Sequence, residues 1–205
     1  MKLLFITLCL LLLVHNEHCS LVATAKLHID SAQVGIGTLL FHQRDPASPV
    51  RIVGIISGLK SNTIHGFHVH RDPLVTGQLN CSAAGPHFNP YNTLHGPREA
   101  DIKNRHVGDL GNLTANENGT IVVEISDAII DLYNATRSIA NRTIVLHAMR
   151  DDGGKGGFPD SNTTGNAGAR IACGVISTAT EESEVKPYSP KVATMITNFL
   201  QKLFP

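Results

Sequence analysis

The chain has 205 residues, which allows one domain, or one domain with extensions. Lys and Arg number 17 and balance 17 Asp and Glu, so the composition lacks the basic footprint of a nucleic-acid-binding protein. We therefore expect no nucleic-acid partner. The 11 histidines are a high count, and tryptophan is absent.

The N-terminal residues 1–20 have the pattern of a secretory signal peptide. One cation, Lys2, precedes an apolar run over residues 3–14 that is too short to span a bilayer. We expect cleavage between Cys19 and Ala25, where residues 23–25 read Ala-Thr-Ala. The sequence thus predicts a secreted, extracellular protein with no stable membrane span, and an uncleaved N-terminal anchor is the alternative.

Residues 25–178 are predicted to form one all-β domain. Turn signals separate β-branched or alternating runs, which favours an antiparallel sandwich or barrel. The runs are KLHI, GIGTLLFH, VRIVGIIS, IHGFHVH, TIVVEIS, TIVLHAM and IACGVIS. Two connections, residues 71–105 and 150–170, are too long for turns, and each follows a histidine-bearing strand. Loops of this length in a compact domain are usually functional.

Two cysteines, Cys81 and Cys173, remain if Cys9 and Cys19 leave with the signal peptide. An even pair in an oxidising compartment predicts a disulfide, with two buried free thiols as the alternative. A high density of N-x-S/T sequons agrees with a secreted glycoprotein. The sequons begin at Asn80, Asn112, Asn118, Asn134, Asn141 and Asn162.

The tail over residues 179–205 differs from the predicted domain. It begins as a linker and continues as a segment with apolar side chains at helical spacing. We interpret this segment as a short amphipathic helix that packs on the body of the protein or on a partner. A membrane-surface helix is less favoured because the polar face carries few cations.

Histidines recur around the run HGFHVH. His68 and His70 lie two apart, so in an extended strand they share one face and can reach one ion. An isolated pair of this kind is more often polar surface, but the rest of the chain supplies further ligand types. Imidazole with one carboxylate suits zinc, and imidazole alone suits copper, so two adjacent metal sites are predicted. The candidate ligands are His68, His70, His87, His95, His106, Asp109 and His147.

Four runs, GFHVH, SAAGPHFNP, RHVGDLGN and GNAGARIACGVI, resemble those of the copper/zinc superoxide dismutases and occur in the same order. The resemblance covers residues 25–178. It implies an eight-stranded antiparallel Greek-key barrel or immunoglobulin-like sandwich, with the metals held outside it by two long functional loops. It also implies dismutation of superoxide to oxygen and hydrogen peroxide in extracellular antioxidant defence, with one copper and one zinc per subunit.

The resemblance also implies a role for each matching residue. His87 would bridge the two metals and act in catalysis with Arg170, which would attract and orient the anion. Asp151 would hydrogen-bond one copper and one zinc histidine, and His65 would brace the copper strand; the alternatives are a loop-capping aspartate and a satisfied core histidine. The implied copper ligands are His68, His70, His87 and His147, and the implied zinc ligands are His87, His95, His106 and Asp109. The disulfide between Cys81 and Cys173 would anchor the first long loop to the last strand.

Three segments depart from the family pattern. Residues 158–165 of the second long loop retain a single charge, at Asp160, which predicts weak long-range steering of superoxide. The first long loop is stretched between His95 and His106. The sequon at Asn141 lies where family dimers pack, which predicts a monomer or a different assembly instead of the family homodimer.

Two other functions stay open at this point. One is a secreted copper/zinc-binding or copper-delivery protein on the same fold without dismutase activity, although copper-chaperone relatives carry an extra N-terminal metal domain and a C-terminal C-x-C that this sequence lacks. The other is a structural adhesion-type sandwich, which the full ligand set argues against. Three tail lysines, Lys186, Lys191 and Lys202, are scattered among acids and apolar residues, so we expect no strong heparin binding.

Overall fold

The computed structural model describes residues 20–178. The predicted signal peptide up to residue 19 and the predicted linker and C-terminal helix lie outside the described residues. The strands are β1 (Leu21–Ile29), β2 (Gly35–Gln43), β3 (Val50–Ile56), β4 (Ile64–His70), β5 (Asp109–Thr114), β6 (Ile121–Asp127), β7 (Thr143–His147), β8 (Arg170–Val175) and β9 (Ser177–Thr178). A 3-10 turn spans Cys81–Ala84, and a one-turn helix, α1, spans Ser161–Thr164. Within residues 20–178, no helix has the length and apolar character needed to cross a membrane.

The strands form one antiparallel sheet in the order β5-β4-β7-β8-β1-β2-β3-β6. The two outer strands, β5 and β6, approach each other, so the sheet is a nearly closed barrel. The two-residue strand β9 continues β8 after Ile176 and pairs with the start of β1. The predicted eight-stranded antiparallel barrel is confirmed.

Alternating side chains fill the barrel. In β6, Ile121, Val123 and Ile125 are buried while the residues between them are exposed, as expected for a strand with one face on a core. The same core contains Phe41 of β2 and Phe67 of β4, both fully buried. The barrel interior is therefore apolar, and polar chemistry is left to its outer face and its loops.

The first strand begins earlier than the sequence indicates. Residues from Leu21 onward pair with β2, with Leu21 opposite Gln43. Ala23 and Ala25 are buried in the core. Residues 21–24 therefore belong to the barrel, and the predicted domain start at residue 25 is four residues late. The small alanine side chains carry too weak an apolar signal to mark this part of the strand.

Strand β5 is absent from the sequence-based strand runs. Its segment DLGNLT contains Gly111 at a positive φ of 79°, and its register with β4 shifts between Gly66 and His68. Glycine and asparagine are depleted in strands, which hides this one from pattern analysis. Long-range pairing with β4 nevertheless makes the segment a strand.

A third long connection, residues 128–142, also escaped the sequence analysis. It is organised around the buried carboxylate of Asp131, which accepts hydrogen bonds from the backbone N–H groups of Tyr133 and Asn134. The guanidinium of Arg137 donates to the same carboxylate at 2.8 Å. This loop packs Ile130 against the core, and its role is structural.

Candidate metal centre

Strands β4 and β7 present three histidines on the outer face of the barrel. In β4, Phe67 and Val69 point into the core, so His68 and His70 point to the opposite face. β7 pairs antiparallel with β4 and ends at His147. The ε2 nitrogens of His70 and His147 lie 3.2 Å apart. His68 and His70 thus share one face of the strand, as the HGFHVH run predicts, and the structure shows that this face is the outer one and has a partner on the neighbouring strand.

One ring nitrogen of each of these histidines is fixed by the protein. His70 Nδ1 lies 2.8 Å from the carbonyl oxygen of Gly85, and His147 Nδ1 lies 3.1 Å from that of Gly168. His68 Nε2 lies 2.8 Å from Asp151 Oδ2. Each ring is therefore oriented through one nitrogen, which leaves the other nitrogen for a ligand role.

The remaining nitrogens converge, together with one from His87 in the first long loop. The ligand atoms of His68, His70, His87 and His147 all lie within 4.8 Å of one another. His68 Nδ1 and His87 Nε2 are buried and have no hydrogen-bond partner. Because buried polar atoms are almost always paired, two unpaired imidazole nitrogens facing one point fit a metal ion there. This all-imidazole set suits copper.

A second cluster lies on the other side of His87 and centres on Asp109. The Asp109 carboxylate oxygens lie 2.9 Å from His87 Nδ1, 3.0 Å from His95 Nδ1 and 3.2 Å from His106 Nδ1. Their ligand atoms also lie within 4.8 Å of one another. Three imidazole nitrogens and one carboxylate form a donor set typical of zinc.

The backbone fixes the Asp109 carboxylate in this position. Its Oδ2 accepts hydrogen bonds from the N–H groups of His106 at 2.8 Å and Gly96 at 3.2 Å. Burial raises the pKa of Asp109, but hydrogen bonds from His106, His87 and His95 outweigh it and hold the pKa well below its usual value. The carboxylate is therefore ionised and available to a cation.

Asp151 joins the two clusters. Its Oδ2 contacts His68 Nε2 and its Oδ1 contacts His95 Nε2, both at 2.8 Å. Its oxygens thus orient one imidazole of each cluster through the nitrogen that points away from the cluster centre. The Asp151 carboxylate is almost completely buried, so it acts on these two rings and is shielded from solvent.

Asn112 positions Asp151, a role that the sequon at this residue does not indicate. Its Nδ2 donates to the carbonyl oxygen of Asp151, and its Oδ1 accepts from the N–H group of Asp151, both at 2.8 Å. No local signal marks this role, because Asn112 and Asp151 are 39 residues apart in sequence. Because one side chain holds both the N–H group and the carbonyl oxygen of Asp151, it fixes the backbone at this residue and thereby the position of the Asp151 carboxylate.

Three imidazoles on the copper-type side, those of His70, His87 and His147, are held neutral. Burial lowers the pKa of His70 and of His87 well below the ordinary value, and it lowers the pKa of His147 to about 3. The positive charge of Arg170 contributes to this lowering at His70 and His147. Neutral imidazole is the form that binds a metal.

The pKa of His95 is shifted in the opposite direction. Burial lowers its pKa, but its hydrogen bonds and charge interactions with Asp109 and Asp151 outweigh burial and raise the pKa to about 9. The ring is held between two carboxylates, which is an environment that stabilises a positive charge. A metal cation can take the place of that proton on the Nδ1 side.

Arg170 lies at the start of β8, half-buried beside the copper-type cluster. Its Nη1 donates to the carbonyl oxygens of Cys81 at 2.8 Å and Ser82 at 3.1 Å, and its Nη2 donates to that of Gly85 at 2.6 Å. The Gly85 oxygen is also the partner of His70 Nδ1. The guanidinium is thus fixed next to a copper-type ligand.

The disulfide and His65 also fix the chain segments around the two clusters. Cys81 and Cys173 are bonded, with their Cα atoms 5.8 Å apart, so the 3-10 turn beneath Arg170 is tied to β8. His65 Nδ1 lies 2.7 Å from the carbonyl oxygen of His147, and its Nε2 lies 2.7 Å from Thr63 Oγ1. His65 therefore links β4 to the end of β7 without entering the cluster of ligand atoms.

Comparison with known proteins identifies the family. The sequence model of the family described as copper/zinc superoxide dismutase (SODC) matches residues 36–176. The chain belongs to the copper/zinc superoxide dismutase family. Membership supports superoxide dismutase activity, and copper and zinc are the cofactors of this family.

Several relatives align over most of their length. "Superoxide dismutase [Cu-Zn] 5" of Dictyostelium discoideum is 47% identical over 140 residues, which cover 68% of this chain and 88% of that protein. "Superoxide dismutase [Cu-Zn]" of Candida albicans is 49% identical over 140 residues, again 68% and 88%. "Superoxide dismutase [Cu-Zn]" of Schizosaccharomyces pombe is 47% identical over 157 residues, which cover 77% and 97%.

Proposed function

We propose that the chain is a secreted superoxide dismutase that converts extracellular superoxide to oxygen and hydrogen peroxide. The proposed copper ligands are His68, His70, His87 and His147, and the proposed zinc ligands are His87, His95, His106 and Asp109. One observation carries this assignment: the two ring nitrogens of His87 belong to different clusters of ligand atoms. Its Nδ1 lies 2.9 Å from Asp109, and its Nε2 is buried without a partner beside the other copper-type ligands.

Copper, when bound, supplies one-electron redox chemistry, and zinc supplies a fixed positive charge. Peroxide formation also needs two protons. His87 would carry one of them on Nε2 as a neutral ring, because its Nδ1 is held among the zinc-type ligands beside Asp109. Water can supply the second proton. Asp151 keeps His68 and His95 in orientation through the cycle.

Arg170 binds and orients the anion in this proposal. Its guanidinium donates to three backbone carbonyls, so its charge stays at one place beside His70 without an acidic partner in those contacts. Asp30 interacts with this charge at longer range, but the guanidinium hydrogen-bonds to backbone oxygens and so can attract an anion at the edge of the site. The family contains enzymes at the diffusional limit, for which such attraction matters.

The test is the dismutation rate of the mature protein reconstituted with copper and zinc, with and without cyanide. A fast, cyanide-sensitive rate supports an open, redox-active copper. Arg170→Gln should lower the rate at least about tenfold with copper content unchanged, whereas the exposed Arg150→Gln should not. A negligible rate with copper bound would contradict the proposal and favour the alternative, a copper/zinc-binding or copper-delivery protein.

Secretion rests on the signal-peptide pattern and the disulfide, and the fold sharpens the expected cleavage site. Cleavage after Ala25 would remove Ala23 and Ala25 from the core and half of β1 from its pairing with β2. Cleavage just before Ser20 or Leu21 leaves the strand intact. N-terminal sequencing of the secreted protein should therefore start at one of these residues, and a start at Lys26 would contradict this.

The sequons differ in how their side chains are used. The Asn112 amide is hydrogen-bonded to Asp151, so we propose that it stays unmodified. Asn141 is exposed in a turn at a positive φ of 59°, and we propose that it carries a glycan and that the protein is not the family homodimer. Glycopeptide mapping with sedimentation tests both points. A glycan at Asn141 within a dimer of the family geometry would overturn the second.

A further inference from the structure

A third group of metal-ligating side chains lies away from the copper-type and zinc-type clusters. His28 of β1 is the register partner of Cys173 of β8. Its Nε2 lies 3.7 Å from Cys173 Sγ and 3.3 Å from the carbonyl oxygen of Leu79. The ligand atoms of His28, Cys81 and Cys173 all lie within 4.8 Å of one another. A disulfide sulfur is a poor ligand, but two thiolates and an imidazole are strong ones.

We propose that reduction of the Cys81–Cys173 disulfide turns this group into a metal site that binds one thiophilic ion, of the class of Zn²⁺ and Cd²⁺. This goes beyond the dismutase function and does not rest on it. A dithiol reductant gives the disulfide two electrons and two protons and becomes a disulfide itself. The ion then binds two thiolates and His28 Nε2, which exchanges its contact with the Leu79 carbonyl oxygen for the ion. The ring proton is then on Nδ1, and the two thiol protons are released to solvent.

The observed distances suit such an ion with little rearrangement. In tetrahedral zinc sites the bonds to sulfur are about 2.3 Å and those to nitrogen about 2.0–2.1 Å, which places nitrogen and sulfur ligands about 3.6 Å apart. The distance from His28 Nε2 to Cys173 Sγ is already 3.7 Å. Two sulfurs on one zinc ion lie about 3.8 Å apart, so the main change is the separation of the two sulfurs once their bond is broken.

The surroundings disfavour two thiolates without a cation beside them. Cys81 and Cys173 are fully buried and pack with Leu74, Ala84 and Val145. Burial in apolar surroundings disfavours an unpaired thiolate, and a bound cation offsets that cost. The contact of His28 Nε2 with the Leu79 carbonyl oxygen is long, at 3.3 Å, so an ion can replace it. The half-buried position of His28 leaves an entry path for the ion.

The test uses the mature protein with copper and zinc already bound. The protein is reduced anaerobically with a trialkylphosphine, and free thiols are counted. Cd²⁺ is then titrated while thiolate-to-metal charge-transfer absorption is followed in the ultraviolet. In a mature chain that starts at Ser20, only Cys81 and Cys173 can give this absorption. We expect saturation at one equivalent, displacement by Zn²⁺, and no signal from the oxidised protein.

Variants separate a three-ligand site from two thiolates alone. His28→Ala and His28→Gln should each weaken Cd²⁺ binding at least about tenfold, because loss of a ligand costs no less than loss of an outer-shell partner. Lys26→Ala, an exposed change in the same strand, should leave binding unchanged. Circular dichroism checks that each reduced protein is folded.

Two results would overturn the proposal: reduced, folded protein that gives no charge-transfer signal, or His28 variants that bind Cd²⁺ as tightly as the unchanged chain. The dismutation rate of the oxidised protein is measured on the same samples. A failure of this metal site is thereby distinguished from a failure of the dismutase function.

Discussion

The two halves of the metal centre are built differently. Three copper-type ligands, His68, His70 and His147, lie on adjacent strands whose opposite faces fill the core. The zinc-type ligands other than His87 are His95 and His106, in the connection between β4 and β5, and Asp109, the first residue of β5. The first set is fixed by backbone pairing of the barrel, and the second by contacts within a loop.

Their electrostatics differ in the same way. On the strand side, burial lowers the pKa of His70 and His147. On the loop side, contact with Asp109 and Asp151 raises the pKa of His95. The strands thus preorganise neutral ligands, whereas the loop gathers its imidazoles around negative charge. We therefore expect the loop side to be more sensitive to loss of a carboxylate or of the ion.

The largest expected effect comes from Asp109→Asn. This change removes the buried charge that contacts His87, His95 and His106, so the free energy of unfolding of the metal-free protein should fall by about 3–5 kcal/mol. Zinc binding should be lost while copper binding is largely kept. Denaturant unfolding and metal analysis measure both. The exposed Asp101→Asn in the same loop is the control, and equal loss of both metals would contradict the comparison.

Asp151→Asn tests the connection between the halves. Asp151 contacts one histidine of each set, but His68 is also held by its strand, whereas His95 lies in the loop. Zinc affinity should fall roughly 10–100-fold, and copper affinity should fall less. Competition titrations with chelators measure the two affinities. Asp160→Asn is the control, because Asp160 lies in the second long loop together with Asp151. A larger loss for copper would reverse the proposed order.

The pH dependence of the metal-free protein should show opposite signs for the two sides. His70, His87 and His147 have lowered pKa values, so the stability they contribute is present above their ordinary value of 6.5 and is lost as pH falls below it. His95 has its pKa raised to about 9, so its contribution is present below 6.5 and is lost as pH rises towards 9.

Chemical unfolding across this pH range measures the effect. His147→Gln should flatten the acid side of the stability profile, and His95→Gln should flatten the alkaline side. A profile in which His95→Gln alters only the acid side would show that the carboxylates do not stabilise a proton on that ring.

The smallest expected effect concerns steering by the second long loop. Because residues 158–165 carry a single charge, the dismutation rate should depend only weakly on ionic strength. Thr163→Lys adds a cation there and should raise the low-salt rate up to about threefold and steepen the salt dependence. Thr163→Gln is the neutral control. Stopped-flow rates over a salt series measure this, and a steep dependence in the unchanged chain would contradict it.

Much of the architecture could be predicted from sequence because strong apolar alternation marks most strands. β5 could not, because Gly111 and Asn112 mask it and its strand character comes from pairing with the distant β4. The start of β1 was placed late because alanines carry little apolar signal. The connection 128–142 was missed because its order comes from the Asp131 carboxylate, which a sequence pattern does not reveal.

Spacing and family motifs were enough to indicate the candidate ligands. Contacts between distant parts of the fold could not be predicted in this way. The outward placement of His68 and His70 follows from strand alternation alone. The support given by Asn112 to Asp151 and the position of His28 beside Cys173 both depend on chain segments far apart in sequence. Such contacts become visible only once the register of the sheet is known.

The position of β1 in the sheet has a consequence for biosynthesis. β1 pairs on one side with β2, which follows it directly, and on the other with β8 and β9 near the end of the described residues. A chain that emerges N-terminus first therefore carries an open strand edge on β1 until β8 and β9 have been made, and such edges can pair with other chains. β7 likewise has an unpaired edge until β8 has been made. Closure of the barrel therefore requires that β8 has been synthesised, and a product that ends before β8 exposes one unpaired edge on β1 and another on β7.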